Sequence, residues 1–146
     1  MQTSITVYLP SLFFPRSVYV AGLSQYAHFS SSVNSYITSL GDGNPSGDSF
    51  SSVINISGDS KTLVVSSINS DIPSSSAGGI SVFRKNTNSE WIEEIFLTSS
   101  GDGNPTSDNL GKAIAINYDG TIIAAAYSGD NPVISAGAVA VFRSSS

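Results

Sequence analysis

The sequence predicts an all-β protein made of tandem units, each of four short antiparallel strands. Three observations predict it. Gly41-Asp42-Gly43-Asn44-Pro45 returns 60 positions later as Gly101-Asp102-Gly103-Asn104-Pro105. Each copy closes on nearly the same strand, Ser76-Ala77-Gly78-Gly79-Ile80-Ser81-Val82-Phe83-Arg84 against Ser135-Ala136-Gly137-Ala138-Val139-Ala140-Val141-Phe142-Arg143. Nowhere do apolar residues recur at helical spacing for three turns. An internal period of this size marks supersecondary units too small to bury their own apolar faces, so that neighbours must stack.

Taken in order, Ile5, Val7 and Leu9 alternate with Thr6 and Tyr8 and predict a strand from Thr3 to Leu9, ended by Pro10. A second is predicted at Ser17 to Val20 and a third at Ser35-Tyr36-Ile37-Thr38, which stands 60 positions before Ile95-Phe96-Leu97-Thr98. Residues 1–40 are thus read as N-terminal strands, the remnant of a degenerate repeat. The first full unit, 41–100, reads as a GDGNP turn, a strand at Ser52 to Ile56, a hairpin turn at Gly58 to Lys61, a strand at Thr62 to Ser66, a Ser- and Pro-rich loop, and strands at Gly79 to Arg84 and Trp91 to Leu97. Each piece is short, rich in β-branched residues and bounded by Gly, Pro, Asn or Asp. The second unit, 101–146, repeats the order with strands at Lys112 to Asn117, Thr121 to Ala126 and Ala136 to Arg143. The closing strands match at an offset of 59, and the missing residue is placed in the turn, where Asp59-Ser60-Lys61-Thr62 is shortened to Asp119-Gly120-Thr121.

At 146 residues and 40% apolar the chain is long enough for one core, yet only 12% of it is charged and 31 residues are serine. The surface is therefore expected to be polar by hydroxyl and amide. A net charge of −5, with Arg16, Lys61, Arg84, Lys85, Lys112 and Arg143 dispersed, offers no basic stripe for phosphates, which argues against nucleic acid. The absence of cysteine excludes a disulfide framework and a thiolate metal site. The N-terminal apolar patches are interrupted by Pro10, Pro15 and Arg16 and fit a signal peptide or membrane span poorly.

Laid out in this way, the unit resembles the FG-GAP type of β-propeller repeat, in its bacterial style. The residues that carry the resemblance are Gly47 to Asp59, Lys61-Thr62-Leu63-Val64-Val65 and Gly78 to Arg84, and it covers residues 41 to 143. Phe50-Ser51 and Leu110-Gly111 stand where the family has Phe-Gly, and Ser66-Ser67-Ile68 and Ala125-Ala126-Tyr127 where it has Gly-Ala-Pro. The resemblance implies propeller-blade-like units, too few to close a propeller in one chain, since closure takes about four to eight blades.

The strongest site candidate is the acidic loop. Asp42, Asn44 and Asp48, repeated as Asp102, Asn104 and Asp108, offer hard oxygen ligands at short spacing, as a calcium loop does. Pro45 and Pro105 interrupt it, no bidentate Glu follows, and the competing reading is a turn in which Asp or Asn bonds its own backbone. No cofactor is expected, calcium being the one alternative. His28 is the sole histidine and no nucleophile-elbow motif accompanies it, so no enzyme is predicted. Glu90, Glu93 and Glu94 are weighed as glycosidase carboxylates and read instead as a solvated strand beside Trp91. Trp91, Tyr118 and Tyr127 are candidates for a carbohydrate platform, whereas Phe50, Phe83, Phe96 and Phe142 are assigned to the core between units.

The expectation is a non-enzymatic structural protein of a cell surface, extracellular filament or virus particle, self-associating as a homo-oligomer through strand and blade contacts between chains. The alternative is an extracellular adhesion module that binds calcium or carbohydrate at the repeat loops.

Overall fold

The structure, a computed structural model, describes residues 36–38, 46–98, 105–130, 133–134 and 136–145. The chain divides into two units, Met1–Tyr36 and Ile37–Ser146, and every described strand lies in the second. The strands expected at Thr3 to Leu9 and Ser17 to Val20 lie outside the described residues, and Tyr36, Ile37 and Thr38 stand in no strand.

The fold is all-β, and among the described residues it contains no helix. The first repeat forms a four-stranded antiparallel sheet from β1 (Phe50–Ile56), β2 (Thr62–Ser67), β3 (Gly79–Lys85) and β4 (Trp91–Leu97), in sequence order. The second forms a three-stranded antiparallel sheet from β5 (Ala113–Ile116), β6 (Ile122–Tyr127) and β7 (Ala138–Arg143). Neither closes into a barrel. Gly79 to Phe83 of β3, a strand paired on both edges, are buried without interruption, the polar Ser81 included.

β1 departs from a regular ladder, with a bulge between Phe50 and Ile54. Ser49 and Ser51 there adopt positive φ, and the Ser66 hydroxyl accepts from the Val53 N–H at 2.9 Å, supplying a partner that the interrupted ladder does not. Serines do the same elsewhere. Ser57, Ser66, Ser67, Ser70 and Ser81 are buried, so part of the hydroxyl content expected at the surface is spent inside the fold.

The two repeats match in backbone as well as in words. Left-handed residues pair off as Gly47 with Ser107, Ser49 with Asn109, Ser51 with Gly111, Ser60 with Gly120 and Gly78 with Gly137. Four of these pairs keep the 60-residue offset and only the last has 59. That overturns the placement of the missing residue in the turn. The Ser57 N–H donates to the Thr62 carbonyl as the Asn117 N–H does to the Ile122 carbonyl, so the two turns are of equal length. Ser67 still corresponds to Tyr127, because each ends the ladder to the closing strand. Asn69 corresponds to Ser128, because their N–H groups donate to the Asp48 and Asp108 carbonyls. The additional residue is Ile68. Turn residues such as Ser60 and Gly120 differ in chemistry while sharing a φ, which is why letters alone misplaced the gap.

The core lies between the sheets. Val64, Ile80 and Val82 of the first sheet meet Leu110, Ile123 and Ala125, with Ile114, Ile116, Ala140 and Phe142 packed around them. On the other face of the first sheet Phe83 is buried and meets Phe50 edge-on, with ring centroids 6.5 Å apart.

Candidate functional site

Two features of the described structure are candidates for a site: the seam between the repeats, held largely by backbone hydrogen bonds, and an open groove beside it. The seam starts in the loop that follows β2. Asp71 fixes that loop by accepting from the Ser76 N–H at 2.8 Å, and the carbonyls of Ser75, Ser76 and Ala77 then accept from the N–H groups of Ser107, Asn109 and Leu110. Gly78 is required here, because its φ is +78° and an added Cβ would lie 2.3 Å from the Leu110 nitrogen. At the opposite end, the Asp59 N–H donates to the Tyr118 carbonyl, and the Tyr118 ring lies over Gly58. Between them the Asn55 side-chain amide donates to the Ile114 carbonyl.

Arg84 extends from the end of β3 across this seam. It donates to Glu94 at 2.6 Å, to the Thr62 hydroxyl at 2.7 Å and to the Gly120 carbonyl at 3.4 Å. One guanidinium thus joins β2, β3, β4 and the turn of the next repeat. Beyond it lies a groove of about 200 Å³ between Val82, Ile95 and Leu97 on one side and Ile123, Phe142 and Arg143 on the other. Ile95 of β4 is exposed there, and among the described residues the second sheet has no counterpart of β4. Pockets that enclose a small molecule run to roughly 300–1,000 Å³ and surround most of it, so this open cleft suits a strand or side chains better than an enclosed ligand.

The calcium candidates divide. Asp42, Asn44, Asp102 and Asn104 lie outside the described residues. Asp48 and Asp108 are buried, at 5% and 2% exposure, and each anchors its loop through its backbone carbonyl. Among the described residues no group of three or more acidic or histidine side chains is placed to hold a metal. His28 also lies outside the described residues. The carboxylates weighed as a glycosidase pair have other partners: Glu94 pairs with Arg84, and Glu90 closes the turn after β3 with the Asn86 side-chain amide, which donates to it at 2.9 Å. Trp91, Tyr118 and Tyr127 do not converge. Tyr118 precedes β6 and Tyr127 ends it, while Trp91 carries Lys85 over its ring at 5.5 Å.

The sequence reading passed over Arg84 and Arg143, though their shared place at the end of the closing strand was a signal. Asp59 and Asp119 also do matching work. The Ser57 hydroxyl and the Lys61 N–H hold the Asp59 carboxyl below the ordinary aspartate range, and the Thr121 hydroxyl and N–H do so for Asp119. Both carboxylates fix turns. Among the described residues no helix is long and apolar enough to cross a membrane. Comparison of the chain with protein-family models, curated proteins and solved structures gave no match.

Proposed function

We propose that this protein is a non-enzymatic structural subunit that builds a surface, filament or shell by associating with copies of itself through sheet contacts. The observation that carries the proposal is the outer edge of β7, which among the described residues has no neighbour. A free edge is a row of unpaired N–H and C=O groups, and β7 carries none of the lysines or prolines that block such edges. The FG-GAP resemblance supports the same reading, since blade-like units of that kind are stable when stacked in numbers. Light scattering of the native chain with and without a calcium chelator tests it. Concentration-dependent assembly in both conditions is the expected result. A monomer in both sinks the proposal, and metal retained through dialysis transfers the assignment to a calcium-dependent adhesion module.

A further inference from the structure

We infer that the hairpin turns of the two repeats form a keyed contact, in which Gly58, Thr62, Tyr118 and Gly120 decide which repeat can follow which. The turns themselves are built alike. The Ser60 N–H donates to the Ser57 carbonyl as the Gly120 N–H donates to the Asn117 carbonyl, and Ser60 and Gly120 share a left-handed φ, at 60° and 71°. Their surroundings differ: Ser60 is exposed and Gly120 is buried.

Gly120 lies against Thr62 of the first repeat, so close that an added Cβ would stand 2.1 Å from the Thr62 Oγ1 and 2.6 Å from the Thr62 Cβ. Thr62 has no room to withdraw. It is 0% exposed, its N–H donates to the Ser57 hydroxyl at 3.0 Å, and its own hydroxyl accepts from Arg84 at 2.7 Å. The same guanidinium donates to the Gly120 carbonyl at 3.4 Å and so holds the arriving turn in its seat. On the reciprocal side the Tyr118 ring occupies the space over Gly58, where a Cβ would stand 2.3 Å from the ring.

Gly58 and Tyr118 are repeat counterparts, as are Ser60 and Gly120, and this gives the contact a direction. An arriving turn that carries Ser60 brings a side chain against the Cβ of Thr62, or of its counterpart Ile122. A receiving turn that carries Tyr118 has no hollow for a second Tyr118. Only the second repeat arriving on the first meets both conditions, so the order of the repeats is written in the clashes that the other orders would make. The inference bears on the assembly proposed above without resting on it: copies of the chain do not associate by repeating this contact.

Urea denaturation of the full chain, followed by far-ultraviolet circular dichroism, tests the inference on Gly120→Ser, Ser60→Gly and Gly137→Ser. Gly137 has a φ of 80° and its nearest atom is 4.0 Å away, so Gly137→Ser incurs the backbone strain without the contact. Gly120→Ser installs the first repeat's own turn residue. It is expected to lower the folding equilibrium constant by about tenfold or more beyond the loss at Gly137→Ser, failure to fold in Gly120→Ser alone being the same result at its extreme. The reverse exchange, Ser60→Gly, is expected to retain or raise the constant, since it relieves a left-handed serine that touches no such seat. Equal losses at Gly120→Ser and Gly137→Ser overturn the inference, as does a loss at Ser60→Gly as large as that at Gly120→Ser. Neither readout depends on whether the chain assembles, so a monomeric chain overturns the assembly reading alone.

Discussion

The two sheets share a repeat and differ in what covers them. Val82 and Val141 occupy the same place in the unit, at 3% and 56% exposure. Phe83 and Phe142 do likewise, one buried at 2% and the other half-buried. Equivalent positions thus differ in burial while carrying the same residue, so burial here is not set by the local sequence.

Paired substitutions at equivalent positions can break or sharpen that contrast. The largest difference is expected for aspartate at the two valines. Val82→Asp buries a charge in the core between the sheets and should cost upward of about 3 kcal/mol, enough to unfold a marginal domain. Val141→Asp should leave the stability of the isolated chain within about 0.5 kcal/mol. Urea denaturation reads both, and equal losses would mean that the second sheet is covered in solution by something within the chain.

Phe83→Ala should cost about 3–5 kcal/mol, and Phe142→Ala roughly half as much, because part of the Phe142 ring is already in water. Next come the two left-handed glycines. Gly78→Ala and Gly137→Ala each incur about 1–2 kcal/mol of backbone strain, but only the first drives a Cβ into the Leu110 backbone, whereas the nearest atom at Gly137 is 4.0 Å away. The excess cost at Gly78, measured by thermal melting, reports the strength of the seam. A smaller cost there than at Gly137 would contradict the seam as described.

The smallest effect concerns pH. The folded-state pKa values of Asp59 and Asp119 lie below those of the unfolded chain, so their contribution is complete above the ordinary aspartate value and is lost as pH falls through the depressed ones. Asp59→Asn and Asp119→Asn should each flatten the acid limb of the stability curve slightly. Both turns are exposed, so the effect should be similar in the two repeats, and a large effect in one alone would break their equivalence.

Much of the fold was legible because the strands are short, β-rich and punctuated: β4 was read from Trp91 to Leu97 as found, and β2 and β3 to within one residue at their C-terminal ends. The face exposed by β7 was not legible, since Val82 and Val141 are the same residue in near-identical strings. Nor was the burial of Ser66 or Ser81, because a hydroxyl enters the core only where a bulge or a neighbouring backbone group supplies a partner. Of the proposed ligand set, Asp48 and Asp108 were recognisable as a repeated pair. That each is buried and anchors a loop through its carbonyl depends on the chain folding back at Asn69 and Ser128, which the spacing of acidic residues does not encode.

The one-residue difference at Ile68 bears on how such arrays can be edited. Within a strand, one added residue would turn every later side chain to the opposite face. At the exit of β2 it lengthens a loop and leaves both ladders in register. The junction between Tyr127 and Ser128, where the second copy lacks that residue, is thus the natural splice point for an epitope tag or a fluorophore-bearing loop.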